Sequence, residues 1–253
     1  MAYSKKWLDI LDEVHDFRNQ DASWFRGHSN LDYELNSGLF RLDFDSIEKY
    51  ISAEAVLYRR FLNLGHLHHT ESDWNLLYVM QHHGVITRLL DWSESFNTAL
   101  FFAFINWNPS EVASIWMLHP TKLNYLSTGS YLYRLPREQH QTYEDTLLVK
   151  KGEFNHNSIA LYPTRNSDRV VAQQGVFTLQ GNSMVPLDQE FGGKLIDEGN
   201  LKRILLTPDL KLDVMKYLDI SGVNYYTLFP DLDGLSKYIN DAYIKKRKSP
   251  LNK

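Results

Sequence analysis

Residues 80–104 read MQHHGVITRLLDWSESFNTALFFAF. Gln, two His, Arg, Asp and Ser lie here beside a dense apolar run. Polar groups buried in such a context are costly unless they find a partner or a ligand. The stretch therefore predicts a site as well as a piece of core. Just upstream, Asp73 can cap a helix from Trp74 to about His82 that Gly84 closes. Leu89-Leu90 reads as a strand and Asp91-Trp92-Ser93 as a turn. Ser95 then caps a buried helix from Phe96 to Asn106, with Phe101, Phe102 and Phe104 as core.

Toward the N-terminus, Trp7, Leu8, Leu11, Val14 and Phe17 recur at helical spacing, so residues 4–18 read as an amphipathic helix. Asp21-Ala22-Ser23 breaks it. Trp24-Phe25-Arg26 reads as a short strand ended by Gly27, and residues 31–43 look irregular. A helix follows from Ser46 to about Leu62, and Gly65 with His66, His68 and His69 forms a loop. Toward the C-terminus, strands are expected at Ala113–Leu118, Ser158–Tyr162, Val170–Leu179, Lys202–Leu206 and Tyr225–Phe229. Asn124–Glu144 is mixed and polar. Pro208 opens a helix to about Leu218, and Asp231 starts a last helix through Ile244. The predicted class is α+β in a single domain, with a helix-rich N-terminal half and a mixed or antiparallel sheet core.

The 253 residues, 43% hydrophobic and 13% aromatic, can bury a substantial core. A net charge of −4 argues against gross attraction to nucleic acid or anionic membrane, though not against a local basic groove. The absence of Cys excludes disulfides, a catalytic thiol and Cys-based metal sites, and it is compatible with a cytoplasmic location. The N-terminus has charges inside its apolar pattern and is not expected to be a signal peptide. The longest apolar run, Ala99–Ile105, is too short to span a bilayer.

Four motifs in order resemble the FRG domain family: Trp24-Phe25-Arg26-Gly27, Gln81-His82-His83-Gly84 through Thr87-Arg88-Leu89-Leu90-Asp91-Trp92, Ala172-Gln173-Gln174-Gly175-Val176-Phe177, and Thr227–Leu235. The resemblance runs over residues 20–240, after an N-terminal helix (1–19) and before a basic tail (241–253). A more distant resemblance is to mono-ADP-ribosyltransferases of the Arg-Ser-Glu type, whose fold the sheet core would share. Phe25-Arg26-Gly27 is similar to their first motif. Leu90-Asp91-Trp92-Ser93, followed by Ala99-Leu100-Phe101-Phe102-Ala103, is similar to their second. At the third strand, this sequence offers Gln173 and Gln174 where the family carries Glu.

The resemblance implies an NAD-dependent ADP-ribosyltransferase-like protein, with NAD as substrate, no metal, and a nucleic acid or protein as acceptor. A role as a bacterial toxin or anti-phage effector, with an antitoxin partner, follows as an expectation. Arg26 and Ser93 would hold NAD, Gln173 or Gln174 would stand in the third-strand position, and Asp91 could supply the missing carboxylate. Gly27 would let the ligand approach the backbone. Gln81, His82, Thr87 and Arg88 complete the candidate NAD-binding set, with Arg88 as a phosphate ligand. Each residue also has a plainer reading. Arg26 or Arg88 could pair with Asp91, Ser93 could be a turn residue, and the glutamines could form an amide ladder. Gln173 and Gln174, read as strand neighbours, would point to opposite faces. Two alternatives remain open at this point. One is a non-catalytic nucleotide- or nucleic-acid-binding module using the same cleft. The other is a His-dependent nuclease or hydrolase, which needs two of His28, His82 and His83 to converge with a carboxylate. His66, His68 and His69 fit a solvated loop or a metal site.

Overall fold

A guanidinium sits at the centre of the chain's buried polar contacts. Arg88 is 0% exposed, and its Nε and Nη2 donate to Glu54 Oε1 and Oε2 at 2.6 and 2.5 Å. Its Nη1 donates to the Gln180 carbonyl at 3.0 Å, and Tyr143 Oη donates to Glu54 Oε1 at 2.6 Å. The Phe154 ring lies 3.6 Å from the guanidinium carbon. These contacts join four separate segments of chain. A charge this deep is tolerated only when paired and fully hydrogen-bonded.

A computed structural model describes residues 2–132, 142–165 and 167–248. Six strands form one sheet: β1 (Trp24–His28), β2 (Leu89–Ser93), β3 (Ala113–Leu118), β4 (Ile159–Leu161), β5 (Gly175–Leu179) and β6 (Leu201–Leu206). Their order is β4-β5-β2-β1-β3-β6, and every neighbouring pair is antiparallel. The expected α+β class with an antiparallel sheet holds.

One sheet face carries Phe25, Ile115, Met117, Ile204 and Leu206. It is covered by α1 (Lys5–Gln20), α4 (Phe96–Ile105) and α8 (Lys211–Ile220). The other carries Trp24, Trp92, Trp116, Leu118 and Val176, closed by Leu123, Leu187 and Leu195. At the β4–β5 end, Leu89, Phe177 and Leu179 pack on Tyr58 and Trp74 from α2 (Ile47–Leu64) and α3 (Asp73–His82). Each fully buried large apolar side chain contributes ~1.5–3 kcal/mol.

Helix α4 is apolar on almost all sides, as a helix between two layers must be. Ser95 caps it, its Oγ accepting from Thr98 N–H at 3.3 Å. It rests directly on β1: a Cβ added at Gly27 would lie 1.9 Å from the Ala99 carbonyl oxygen and 2.6 Å from the Ala103 nitrogen.

Several expectations need correction. The strand at Trp24 does not stop at Gly27 but continues to His28. Asp91-Trp92-Ser93 is strand, because β2 pairs with β5 as far as Ser93↔Gly175. The expected strand Val170–Leu179 is divided. Ser167 Oγ accepts from Val170 N–H and caps α6 (Asp168–Ala172), Gln174 turns the chain at φ 47°, and only then does β5 begin. Tyr225–Phe229 is no strand either. Asn224 and Thr227 form a reciprocal cap that makes Tyr225–Leu228 a short helix, α9. Pro120–Thr128, partly read as mixed chain, is helix α5, with α7 at Lys194–Asp197. The last helix, α10 (Leu232–Lys248), runs past Ile244 into the expected tail. Tyr133 and residues 249–253 of that tail lie outside the described residues.

Glu54→Ala leaves Arg88 buried and uncompensated, and the expected loss is about 3–5 kcal/mol of unfolding free energy. Denaturant titration reads it as a fall in midpoint. In the Glu54→Leu/Arg88→Met double variant the loss is smaller than the sum of the two single losses.

Candidate functional site

Strands β1 and β2 are registered through a single residue pair, Phe25↔Ser93. A cleft of about 670 Å³ is lined by residues of both strands, and its walls include Arg26, His28, Arg41, Gln81, Asp91, Ser93, Phe102, Arg169 and Gln173. That volume suits a small-molecule ligand.

Arg26 bridges the two strands. Its Nη1 donates to the Asp91 carbonyl at 2.5 Å and lies 4.0 Å from Asp91 Oδ2, and its Nε donates to His28 Nε2 at 3.1 Å. Among the described residues its Nη2 has no hydrogen-bond partner. The Arg26 side chain is 19% exposed and that of Asp91 59%. Burial, opposed by Asp91 and reinforced by Arg41, pushes the Arg26 guanidinium down to about 10, so it remains cationic at neutral pH. Arg26 and His28 project on the same side of β1, two residues apart. Burial first, then the charges of Arg26 and Arg203, hold the His28 imidazole down at about 3. His28 is therefore neutral, and an Nε2 that accepts from Arg26 assigns its proton to Nδ1.

Asp91 is oriented in turn. Gln81 Nε2 donates to its Oδ2 at 2.8 Å, and Thr87 Oγ1 donates to Gln81 Oε1 at 2.6 Å. The chain Thr87–Gln81–Asp91–Arg26–His28 is thus one connected hydrogen-bonded and ionic line. On the other side, Ser93 Oγ donates to the Gln173 carbonyl at 2.7 Å and accepts from Ser95 N–H at 2.9 Å. Gln173 Nε2 donates to the Leu228 carbonyl at 3.0 Å. Arg169 lies over the Phe229 ring at 4.7 Å.

The structure thus brings Arg26, Gly27, Gln81, Asp91, Ser93 and Gln173 to one cleft. Thr87 is buried behind Gln81 and acts through it. Gln174 and His82 are not among the lining residues. Gln173 and Gln174 close a helix and turn the chain, so they are not alternate residues of a strand. Arg88 cannot bind a ligand phosphate, because Glu54 holds it in the core. Gly27 is small because α4 needs the space, whatever approaches from the cleft. Of His28, His82 and His83, only His28 lines the cleft; His82 and His83 lie against each other, ring centroids 4.8 Å apart, without His28. Phe102, expected in the core, forms part of the cleft wall.

Sequence reasoning missed Arg41 and Arg169, as well as the exposed Asp32, Tyr33 and Glu34, which also border the cleft. The alternation Arg26-x-His28 was a usable signal for His28. Nothing in the irregular run 31–43 marked Arg41. No group of three or more His, Cys, Asp or Glu side chains suited to a metal ion occurs among the described residues. No described helix is long and apolar enough to cross a membrane.

Residues 21–111 match the FRG domain family. The FRG match takes in the two motifs on β1 and β2, while the motifs around Gln173 and at Thr227–Leu235 lie beyond it. No curated protein and no solved structure matches the chain.

The depressed His28 predicts a pH effect on stability. The unfolded chain takes up a proton at this residue near pH 6.5, its ordinary value, and the folded chain refuses it until about pH 3. Stability is thus lost as pH falls through that window. His28→Asn is expected to flatten this part of a stability–pH profile measured by denaturant midpoints between pH 7 and pH 4.

Proposed function

We propose that the cleft binds NAD and that the protein transfers its ADP-ribose to an acceptor nucleophile. One observation carries this reading. The three motif elements similar to those of Arg-Ser-Glu ADP-ribosyltransferases are far apart in the chain. Yet Arg26, Ser93 and Gln173 come together at one cleft, on or beside the adjoining strands β1, β2 and β5.

In this reading Arg26 holds the anionic part of NAD with a charge that persists at neutral pH. Asp91 is the carboxylate that the third-strand position lacks. Its side chain is accessible and fixed by Gln81. The bond between the ribose C1′ and the nicotinamide nitrogen breaks, and the electron pair leaves with nicotinamide, which becomes neutral. The positive charge that develops on the ribose is stabilised by the Asp91 carboxylate. The acceptor then bonds to C1′ and loses its proton to solvent. Positioning and electrostatics supply the catalysis, with no covalent enzyme intermediate.

A second reading has its own support. Ser93 already uses its hydroxyl in both directions, and Gln173 cannot carry charge. A module that binds a nucleotide without turning it over fits those two facts.

NAD labelled on its adenylate half, incubated with the protein and with total RNA, DNA and protein, separates the two. Transferase activity predicts released nicotinamide and labelled acceptor. Both are lost in Arg26→Ala, and both are slowed roughly a hundredfold or more in Asp91→Asn, with NAD binding by the latter retained. Binding that depends on Arg26 without nicotinamide release supports the module. Absence of NAD binding refutes the transferase and leaves a module only for a nucleotide other than NAD.

A further inference from the structure

Arg41 follows β1 in the chain, on a single turn of 3-10 helix at Leu39–Leu42. It lines the same cleft as Arg26. Its Nη1 donates to the Asn36 carbonyl at 2.9 Å, which anchors the head group. Among the described residues no carboxylate lies within 4.0 Å of it, although Asp32 and Glu34 also border the cleft. Glu34 is engaged by Asn36, whose Nδ2 donates to its Oε2 at 2.8 Å. Asp32 and Glu34 are both exposed, as is Arg41 itself, and none of their carboxylate oxygens pairs with its guanidinium.

Arg41 and Arg26 feel each other. The charge of Arg41 depresses the Arg26 guanidinium and the His28 imidazole. Asp91, the carboxylate paired with Arg26, is more than half exposed. The group beside Arg26 along β1 is His28, which is neutral and cannot offset either cation. Arg26 is largely shielded and Arg41 is exposed on the wall of the same cleft; their like charges repel, and a bound anion relieves that repulsion. A guanidinium presents paired N–H donors that fit two oxygens of one phosphate. Two guanidiniums fit a group with two linked phosphates better than they fit a single phosphate.

We infer that Arg41 is a second anion-holding residue of the cleft, and that with Arg26 it selects ligands carrying a diphosphate. This rests on the NAD reading for the rest of the ligand, but not for the diphosphate itself. The inference distinguishes Arg41 from Arg169, which also lines the cleft. Arg169 lies over Phe229, and its Nη1 is directed to the His82 carbonyl at 3.4 Å.

The test is calorimetric titration of the full chain with inorganic pyrophosphate, ADP-ribose, nicotinamide mononucleotide and NAD. Wild type is compared with Arg41→Ala and Arg41→Gln, the second of which keeps an N–H donor for the Asn36 carbonyl. Thermal unfolding of each variant is the folding control. The expected result is a tenfold to hundredfold loss of pyrophosphate and ADP-ribose affinity in both variants. The loss for the mononucleotide, with its single phosphate, is smaller. NAD binding that is unchanged in a folded Arg41→Gln protein overturns the inference and leaves the NAD reading standing. Pyrophosphate binding that needs Arg41, with no NAD binding, upholds the inference and removes the NAD reading. No binding of any of the four ligands overturns both.

Discussion

The buried pair of Arg88 and Glu54 is the constraint on which the rest of the structure depends. A guanidinium cannot be left in a core without partners, and here the ion pair and the groups that bond it come from separate segments. Glu54 comes from α2, Tyr143 from the helical turn that precedes β4, and the Gln180 carbonyl from the chain just after β5. Meeting the demands of one side chain therefore sets α2 against the ends of β2 and β5. Leu89, the next residue, begins the strand that carries Asp91 and Ser93. The ion pair contributes little net stability of its own, since well-packed apolar residues can do as well. What it contributes is registry between α2, the start of β2 and the end of β5.

The cleft is the outcome of a sheet that is incompletely joined. β2 is paired with β5 at five successive positions and β1 with β3 at five. Between β1 and β2 only one pair closes. Side chains complete what the backbone ladder leaves open: Arg26 reaches across to the Asp91 carbonyl, and Ser93 to that of Gln173. The polar groups that line the opening are thus also those that hold its edges. The two roles are compatible, because Arg26 retains a nitrogen without a partner and Asp91 an accessible oxygen. The wall on the far side is made late in the chain. Leu228 fixes the Gln173 amide, and the Phe229 ring supports Arg169. The start of α10 presses on the same residue, since a Cβ at Gly234 would lie 1.9 Å from the Phe229 carbonyl oxygen.

What could be read from the sequence follows the range of the interactions involved. The helices α1, α2 and α4 and the strands β3 and β6 were legible because local periodicity and capping determine them. So was the clustering of Arg26, Gln81, Asp91 and Ser93, because dense polar residues in an apolar run have few ways to be satisfied. The role of Arg88 was not legible. Sequence proximity suggested Asp91 as its partner, whereas the partner is Glu54, distant in the chain on the buried side of α2. Gln173 and Gln174 were misplaced on a strand because Val170 and Val171 have strand propensity. A Ser cap and a left-handed residue outweighed it. Tyr225–Phe229 failed for the same reason, aromatic strand formers being overruled by the Asn224 cap. Arg41 was invisible because only the tertiary fold brings residues 31–43 beside β1.

The limits of the FRG match have a consequence for how this protein can be divided. Residues 21–111 contain β1 and β2 but stop just before β3. Cut out alone, that piece would hold two strands joined by one residue pair, with the β1 edge that faces β3 and the β2 edge that faces β5 both bare. It would also lack the Gln180 carbonyl and Tyr143 that satisfy the buried pair at Arg88. Recognisable similarity and the autonomous folding unit are therefore different lengths of this chain. A fragment drawn at the first boundary would present unpaired strand edges and behave as an aggregation-prone half of a sheet.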